Sequence, residues 1–468
     1  MQSPRAPVQP SGRLVLSNAK REPNRRGSTL PKKTHRHVSA SRDARIGHSR
    51  SSKLLAIVNT FGPGVITGAS DDDPSGIATY SQVGAQFGYG MLWTMVVSYP
   101  LMAAIQEISA RVGRVTGCGI SANLRRHYPR WLLRSVITLI LVANTVNLGA
   151  DVGAMGAAAQ LILPARTWIY IVGFGVASLV LQLLVPYTQY VKYLKWLTVS
   201  LFAYIVAAFF VHIPWAEVRR SVAFPKIALT RAYFTGLVAV LGTTISPYLF
   251  FWQASQEVEE VTVNRGEEPL KRSPSQASAH LNRIRTDTYF GMAFSNAVAF
   301  FIILTAAATL HARGITDVAT AAQAAQALEP LGGKLATGLF VCGIVGTGLL
   351  AIPVLAGSAA YAMGEACRWP ASLEKKPSQA PGFYITIAIA TIGGVALNFS
   401  HIDPIKALFW AAVLNGILAA PVMAVIMHMA SSKKVMGKFT LPLVLRVVGW
   451  MSTAVMLFAS FGVFLTST

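Results

Sequence analysis

Between Leu54 and Leu465 the chain returns again and again to apolar runs of membrane-crossing length, and this repetition limits the possible folds more than any other feature. A helix needs about 20 apolar residues to cross roughly 30 Å of hydrocarbon. Such runs are read near 54–86, 89–112, 132–162, 167–187, 194–213, 232–257, 286–311, 333–361, 381–399, 404–429 and 443–465, eleven in all. No water is present in the bilayer core to satisfy backbone groups, so runs of this length span it as helices. Composition agrees. Only 13% of the 468 residues are charged, against about 25% in a soluble domain. The expected fold class is an all-α integral membrane protein.

The formal net charge of +22 raises nucleic acid as a partner. The basic residues, however, gather in the amino-terminal tail and the short loops, where they orient a membrane protein. The expected partner is the lipid bilayer, with no nucleic acid. Residues 1–52, rich in Arg, Lys, Ser and Pro, cannot bury a core and read as a disordered cytoplasmic tail. The first apolar run follows that tail, so it reads as a span and not as a cleaved leader. Even-numbered loops carry Arg111, Arg114, Arg125, Arg126 and Arg130, then Lys192 and Lys195, then Arg265, Lys271, Arg272, Arg283 and Arg285. Arg368, Lys375 and Lys376, and finally Lys433, Lys434 and Lys438, continue the series. These place the amino terminus inside and the carboxyl terminus outside a cell (inner) membrane. The fifth loop dissents, with Arg219, Arg220, Lys226 and Arg231 on the external side.

Two spans are interrupted. The first contains Gly68-Ala69-Ser70-Asp71-Asp72-Asp73-Pro74-Ser75-Gly76. Charge within an apolar run costs a few kcal/mol at the bilayer centre and persists where it has a partner. Pro74 removes a helical hydrogen bond and drives Asp73 out of helical geometry. Asp73-Pro74 thus reads either as an unwound point offering carbonyls and a carboxylate to a cation, or as a helix end followed by a solvated loop. The sixth span contains Gly242-Thr243-Thr244-Ile245-Ser246-Pro247-Tyr248 and runs on to Gln253. Alone, Pro247 reads as a tolerated kink. Together the two breaks occupy equivalent places in two five-helix halves. Five is odd, so the second half inserts upside down, the pattern of secondary transporters with a midplane site. The expected organisation is a first repeat over 53–213, an inverted second repeat over 214–429, and an eleventh helix with a short end over 430–468.

At these residues the sequence resembles the Nramp family of divalent metal transporters, whose fold is a LeuT-like inverted repeat of 5+5 helices with the first and sixth broken. The likeness runs from about residue 53 to 466 and is densest at Gly62-Pro63-Gly64, at Asp73-Pro74-Ser75-Gly76, and from Gly84-Ala85-Gln86-Phe87-Gly88-Tyr89-Gly90 to Ser109-Ala110-Arg111-Val112-Gly113. The family's Asp-Pro-Gly-Asn implies Asp73 as metal ligand, with Gly76 where the Asn would stand. Its Ala-x-x-Met-Pro-His implies Thr243 for the Ala carbonyl, Ser246 for the Met and Tyr248 for the His. Gln253 matches a proton-transferring His and does not titrate, and Asp151 matches an acid on the third span. These departures are similar to the Nramp-related magnesium transporter branch. Thioethers favour transition metals, whereas carboxylate, hydroxyl, carbonyl and water suit Mg²⁺, Ca²⁺ or Mn²⁺. Mg²⁺ also keeps several of its waters, which a roomier site accommodates.

The implied function is a secondary transporter moving Mg²⁺ first and Mn²⁺ second, weakly or not coupled to protons. The runner-up is a proton-coupled Mn²⁺/Fe²⁺ transporter with Asp151 carrying the proton. The metal is the transported substrate, no cofactor is implied, and the protein is expected to act as a monomer. Asp71 and Asp72 read as solvated vestibule residues, Asp72 also as second-layer to the metal. Asn415, the amide midway along the tenth span, either holds a metal-bound water or bonds a neighbouring helix. Glu257, Glu259 and Glu260 read as a solvated helix end, and Thr262 to Ser278 as a flexible linker. Cys118, Cys342 and Cys367 are scattered and odd in number, which indicates neither a disulfide framework nor a Cys metal site. No His-Glu-x-x-His, Gly-x-Ser-x-Gly or phosphate-cradling motif marks an enzyme.

Overall fold

Proline opens four of the helices, at Pro74, Pro247, Pro381 and Pro404. It suits that position because its fixed φ is already helical and its missing N–H would have no intrahelical partner there. Asp73 and Asp403 precede two of these prolines and cap the helices, accepting from the amides of Gly76 and of Ile405 and Lys406.

The structure is a computed structural model and describes residues 67–68, 70–185, 197–264, 266–400 and 402–466. The basic tail, the first half of span one with Gly62-Pro63-Gly64, Lys192, Lys195 and Arg265 lie outside the described residues. Among the described residues, the helices of eight or more residues are α1 (Pro74–Phe87), α2 (Trp93–Thr116), α3 (Ile120–His127), α4 (Arg130–Gln160) and α5 (Thr167–Leu184). Then come α6 (Phe202–Phe210), α7 (Trp215–Ala223), α8 (Arg231–Thr244), α9 (Pro247–Val263) and α10 (Ala277–Thr309). The chain closes with α11 (Gly333–Cys367), α12 (Pro381–Leu397), α13 (Pro404–Ser431) and α14 (Leu443–Leu465). Among the described residues, eight helices are long and apolar enough to cross a membrane, or ten if each of two bent pairs is one span. The first expected span begins at residue 54 and is described only from Thr67.

Small residues let these helices approach closely, as is usual where lipid removes the hydrophobic drive between them. A Cβ on Gly242 of α8 would lie 2.1 Å from the Ala412 carbonyl of α13 and 2.5 Å from the Gly416 amide. One on Gly84 of α1 would lie 2.5 Å from the Ile303 carbonyl of α10. The interior layer is formed by α1, α8 and α9, packed against α10, α13 and α2 respectively, while α4 lies against α11, α12 and α13. Both interrupted segments are therefore central, and their neighbours are full-length helices.

Three expectations differ. The segment 262–278 is not a loose linker: the amides of Leu270 and Lys271 donate to the carbonyls of Arg114 and Val115 at 3.2 Å each. Leu270 is fully buried, and Pro269 packs on Gly117. One apolar pair anchors a stretch whose average composition is polar. Second, the helix end at Glu257 and Glu260 is not a solvated one. Glu257 is fully buried and lies 2.8 Å from Arg283 of α10, which also meets Glu260 at 2.6 Å. Glu259 accepts from the Leu373 amide at 2.9 Å. Third, the seventh span starts nine residues earlier than the apolar run suggests, at Ala277 and not 286, because the helix continues through a polar stretch whose Arg283 is paired with Glu257 and Glu260.

Candidate functional site

Helical geometry stops at Asp71 and resumes at Pro74, leaving Asp73 extended at φ −73° and ψ 172°. On the other interrupted segment Thr244 ends α8 and Ser246, extended at φ −79° and ψ 129°, precedes Pro247. Each break exposes a helix carboxyl end, with its unpaired carbonyls, and a helix amino end, with unpaired amides. Cations are favoured at the first and anions at the second.

Asp73 is 2% exposed and sits where the two breaks meet. Its Oδ1 accepts from Ser75 Oγ at 2.5 Å and from the Gly76 amide at 2.9 Å. Its Oδ2 accepts from the Tyr248 hydroxyl at 3.1 Å and from Asn147 Nδ2 at 3.1 Å. A carboxylate offers about four lone-pair positions, so this one is saturated by donors. Ser246 turns its hydroxyl back, donating to the carbonyls of Gly242 and Thr243 at 2.8 Å each. Thr243 likewise donates to Val240 at 2.9 Å. Both hydroxyl protons are thereby committed to backbone, so each side-chain oxygen presents lone pairs and no proton. A second link across the breaks joins Thr67, which donates to Gln253 Oε1; both residues are buried.

The geometry brings Asp73, Gly76 and Tyr248 into one contact set, with Thr243 and Ser246 on the facing break. Gly76 takes part through its backbone amide, and a Cβ there would meet the Tyr80 ring at 3.2 Å. Asp71 and Asp72 correct the vestibule reading: both are 1% exposed, and Ser295 of α10 donates to them at 2.7 and 3.0 Å. Packing of α10 over the break closes off what a loop would have left wet. Asp151 is fully buried on α4, and neither of its oxygens has a partner in normal hydrogen-bond geometry among the described residues, although the Ser75 amide is directed at it. Asn415 bonds a neighbouring helix, donating Nδ2 to Asn147 Oδ1 at 3.4 Å.

Asn147 is the residue that sequence reasoning passed over. It lies four residues before Asp151 and three after Asn144, so Asn144, Asn147 and Asp151 share one face of α4. A ladder of polar side chains at helical spacing inside an apolar span is a signal that a periodicity count would find. Among the described residues no group of three or more His, Cys, Asp and Glu side chains is arranged to hold a metal ion. A cation bound at the breaks would meet the Asp73 carboxylate with hydroxyl, carbonyl and amide oxygens, with Asp71 and Asp72 buried beside it.

The sequence model of the family described as "Natural resistance-associated macrophage protein-like" (Nramp) matches residues 64–466. The chain belongs to the Nramp family. It is 25% identical over 419 residues to the divalent metal cation transporter MntH of Klebsiella pneumoniae (strain 342), covering 87% of this chain and 94% of that one. MntH of Pectobacterium carotovorum is 24% identical over 401 residues, covering 83% and 89%. Among solved structures, the manganese transporter of Eremococcus coleocola in complex with an aromatic bis-isothiourea compound superposes with a TM-score of 0.71 at 17% identity, over 89% of this chain and 88% of that one. Mhp1, a nucleobase-cation-symport-1 family transporter in a closed conformation, gives 0.51 at 14% identity over 87% and 93%. The Nramp chain thus has the LeuT-like all-helical transporter fold and is a multi-pass membrane protein. The relatives are transporters and not enzymes.

Proposed function

We propose that this Nramp-family chain carries divalent metal cations across the cell (inner) membrane by alternating access, Mg²⁺ first and Mn²⁺ second. The observation that carries the reading is the chemistry around Asp73: a buried carboxylate at a helix break, beside the buried Asp71 and Asp72, touched by the Ser75 and Tyr248 hydroxyls and two amides. Asp73 supplies the charge. Thr243 contributes its carbonyl and Ser246 its hydroxyl oxygen, while Gly76 adds no side-chain ligand and donates its amide to Asp73. This is a hard-donor set, which suits Mg²⁺ and Mn²⁺ over softer transition metals. The relatives named as divalent metal cation and manganese transporters support the substrate class. Asp72, Tyr248, Gln253, Asp151 and Asn415 form the surrounding layer. Gln253 does not titrate, which supports transport with weak or no proton coupling.

The architecture behind this is a pair of inverted repeats, 53–213 and 214–429, followed by the eleventh helix within 430–468. The protein works as a monomer, and the basic even-numbered loops support an amino terminus inside and a carboxyl terminus outside.

One observation favours a second reading, a proton-coupled Mn²⁺/Fe²⁺ transporter. Asp151, buried on the helix beside the site with the Ser75 amide directed at it and no partner in normal hydrogen-bond geometry among the described residues, is the kind of intramembrane acid that relays protons. Uptake into proteoliposomes separates the two. Saturable Mg²⁺ uptake, lost in Asp73→Ala while the variant still inserts, is expected. Strong Cd²⁺ or Fe²⁺ uptake with no Mg²⁺ uptake would replace the first reading by the second.

A further inference from the structure

Asp73 as it stands has no open position for a cation. Both oxygens are filled, and the two donors on Oδ2 come from different helices: the Tyr248 hydroxyl from α9 and Asn147 Nδ2 from α4. A cation docking on Oδ2 must displace them. The hydroxyl of Tyr248 still presents lone pairs once its proton turns away. The amide of Asn147 cannot do that on its N–H₂ side, which carries two donors and no acceptor.

The other end of the same amide is an acceptor, and it is occupied by a single contact: Asn415 Nδ2 at 3.4 Å. The terminal torsion of an Asn is broad and roughly two-fold, so its two ends exchange with little change in shape. If Asn147 turns over, its Nδ2 faces Asn415 and needs an acceptor. Asn415 provides one by turning over too, bringing its own Oδ1 forward. The pair therefore has two self-consistent arrangements, one with N–H toward Asp73 and one with C=O toward it. Both residues are within 2% of full burial, so water does not replace either partner.

We propose that Asn147 is a switching ligand: its amide donates to Asp73 while no cation is held, and turns its carbonyl onto the cation when one arrives, with Asn415 turning in step as the positioning residue. The inference rests on the metal-carrier reading. It also accounts for the glycine at position 76. The oxygen that an amide there would have supplied comes instead from α4, across the cavity, where an amide carbonyl is a hard ligand suited to Mg²⁺.

The test is calorimetric titration of Mg²⁺ into the purified full chain and its variants. Asn147→Ala should weaken binding about tenfold or more, within the range seen when the groups that orient a metal's ligands are removed. Asn147→Asp keeps the shape but offers only acceptor oxygens, and it should bind Mg²⁺ as well as the parent or better. Asn415→Asp, also acceptor-only, fixes Asn147 with its carbonyl forward and should tighten binding. Binding by Asn147→Ala within twofold of the parent would overturn the proposal. So would loss of binding in Asn147→Asp, since the donor to Asp73 would then be what mattered. If Asn147→Ala does not fold, the near-isosteric Asn147→Asp decides alone by the same criterion. Asp73→Ala separates the levels: unchanged binding there removes the carrier reading itself, whereas its loss with Asn147→Ala unaffected removes only the switch.

Discussion

Tyr248 donates its hydroxyl to Oδ2 of Asp73 at 3.1 Å, so the residue after the proline of one interrupted segment holds the carboxylate before the proline of the other. With Thr67 and Gln253 making the second such link, the breaks are joined by side chains and not merely neighbours. Tyr248→Phe removes a hydrogen bond to a carboxylate, worth about 1.5–3 kcal/mol. The variant should unfold at lower temperature in detergent while binding Mg²⁺ at least as tightly as the parent, because the hydrogen bond that the ion has to displace from Oδ2 is already gone. Thermal unfolding and titration of one preparation check both halves.

The long helices and the two breaks were legible in the sequence because bilayer thickness and proline chemistry act locally. Asp73 was legible for the same reason, as a charge in an apolar run. What was not legible depended on neighbours distant in sequence. Asp71 and Asp72 are buried only because Ser295, more than 220 residues away, closes over them. Glu257 is dry because Arg283 reaches it from α10. The segment 262–278 has polar composition, yet it docks through Leu270 on the end of α2. In each case local composition predicted water, and tertiary packing replaced the water with a partner.

The Glu257–Arg283 pair gives a stability prediction. The Glu257 side chain is 0% exposed and that of Arg283 21%, at 2.8 Å. Arg283→Ala leaves a buried carboxylate uncompensated, which costs about 3–5 kcal/mol when a buried pair is broken. The lower end is expected, since Arg283 is partly wet. Adding Glu257→Leu to Arg283→Leu should recover much of the loss, as replacing both ions by apolar groups often does. A double-mutant cycle on thermal unfolding measures it, and purely additive effects would contradict the pairing.

Packing of α8 against α13 gives a second. With Ala412 O at 2.1 Å and Gly416 N at 2.5 Å from where the Cβ would stand, Gly242→Ala forces two backbones apart. Overpacking of this kind costs about 1–3 kcal/mol. Gly90→Ala, where nothing lies within 4 Å of the added carbon, should be close to neutral. Comparing the two by thermal unfolding separates close helix approach from a general intolerance of glycine replacement.

Proton coupling can be tested at Gln253, fully buried, with its oxygen engaged by Thr67 and its Nε2 without a partner among the described residues. Flux through the parent protein should persist when the proton gradient is collapsed. Gln253→His puts a group that titrates near neutral pH beside the same hydroxyl, and uptake should then acquire a pH dependence between about pH 5 and 8. Strict dependence of the parent on the gradient would transfer the proton to Asp151.

Metal choice can be tested at Ser246. Its hydroxyl proton is spent on the carbonyls of Gly242 and Thr243, so a hard oxygen lies at the end of α8 and the carbonyls are held in place. Ser246→Met removes the donor, frees both carbonyls and introduces a thioether, the soft group that selects transition metals. Mg²⁺ uptake should fall and Cd²⁺ uptake should rise, changing their ratio by about tenfold or more, a shift of 1.4 kcal/mol in relative transition-state stability. Ser246→Ala supplies the control: it removes the donor without adding sulfur, so Mg²⁺ transport should weaken while Cd²⁺ gains nothing. Competition uptake in proteoliposomes reads both variants against the parent. If the Mg²⁺ to Cd²⁺ ratio is the same in all three, residue 246 does not face the transported ion.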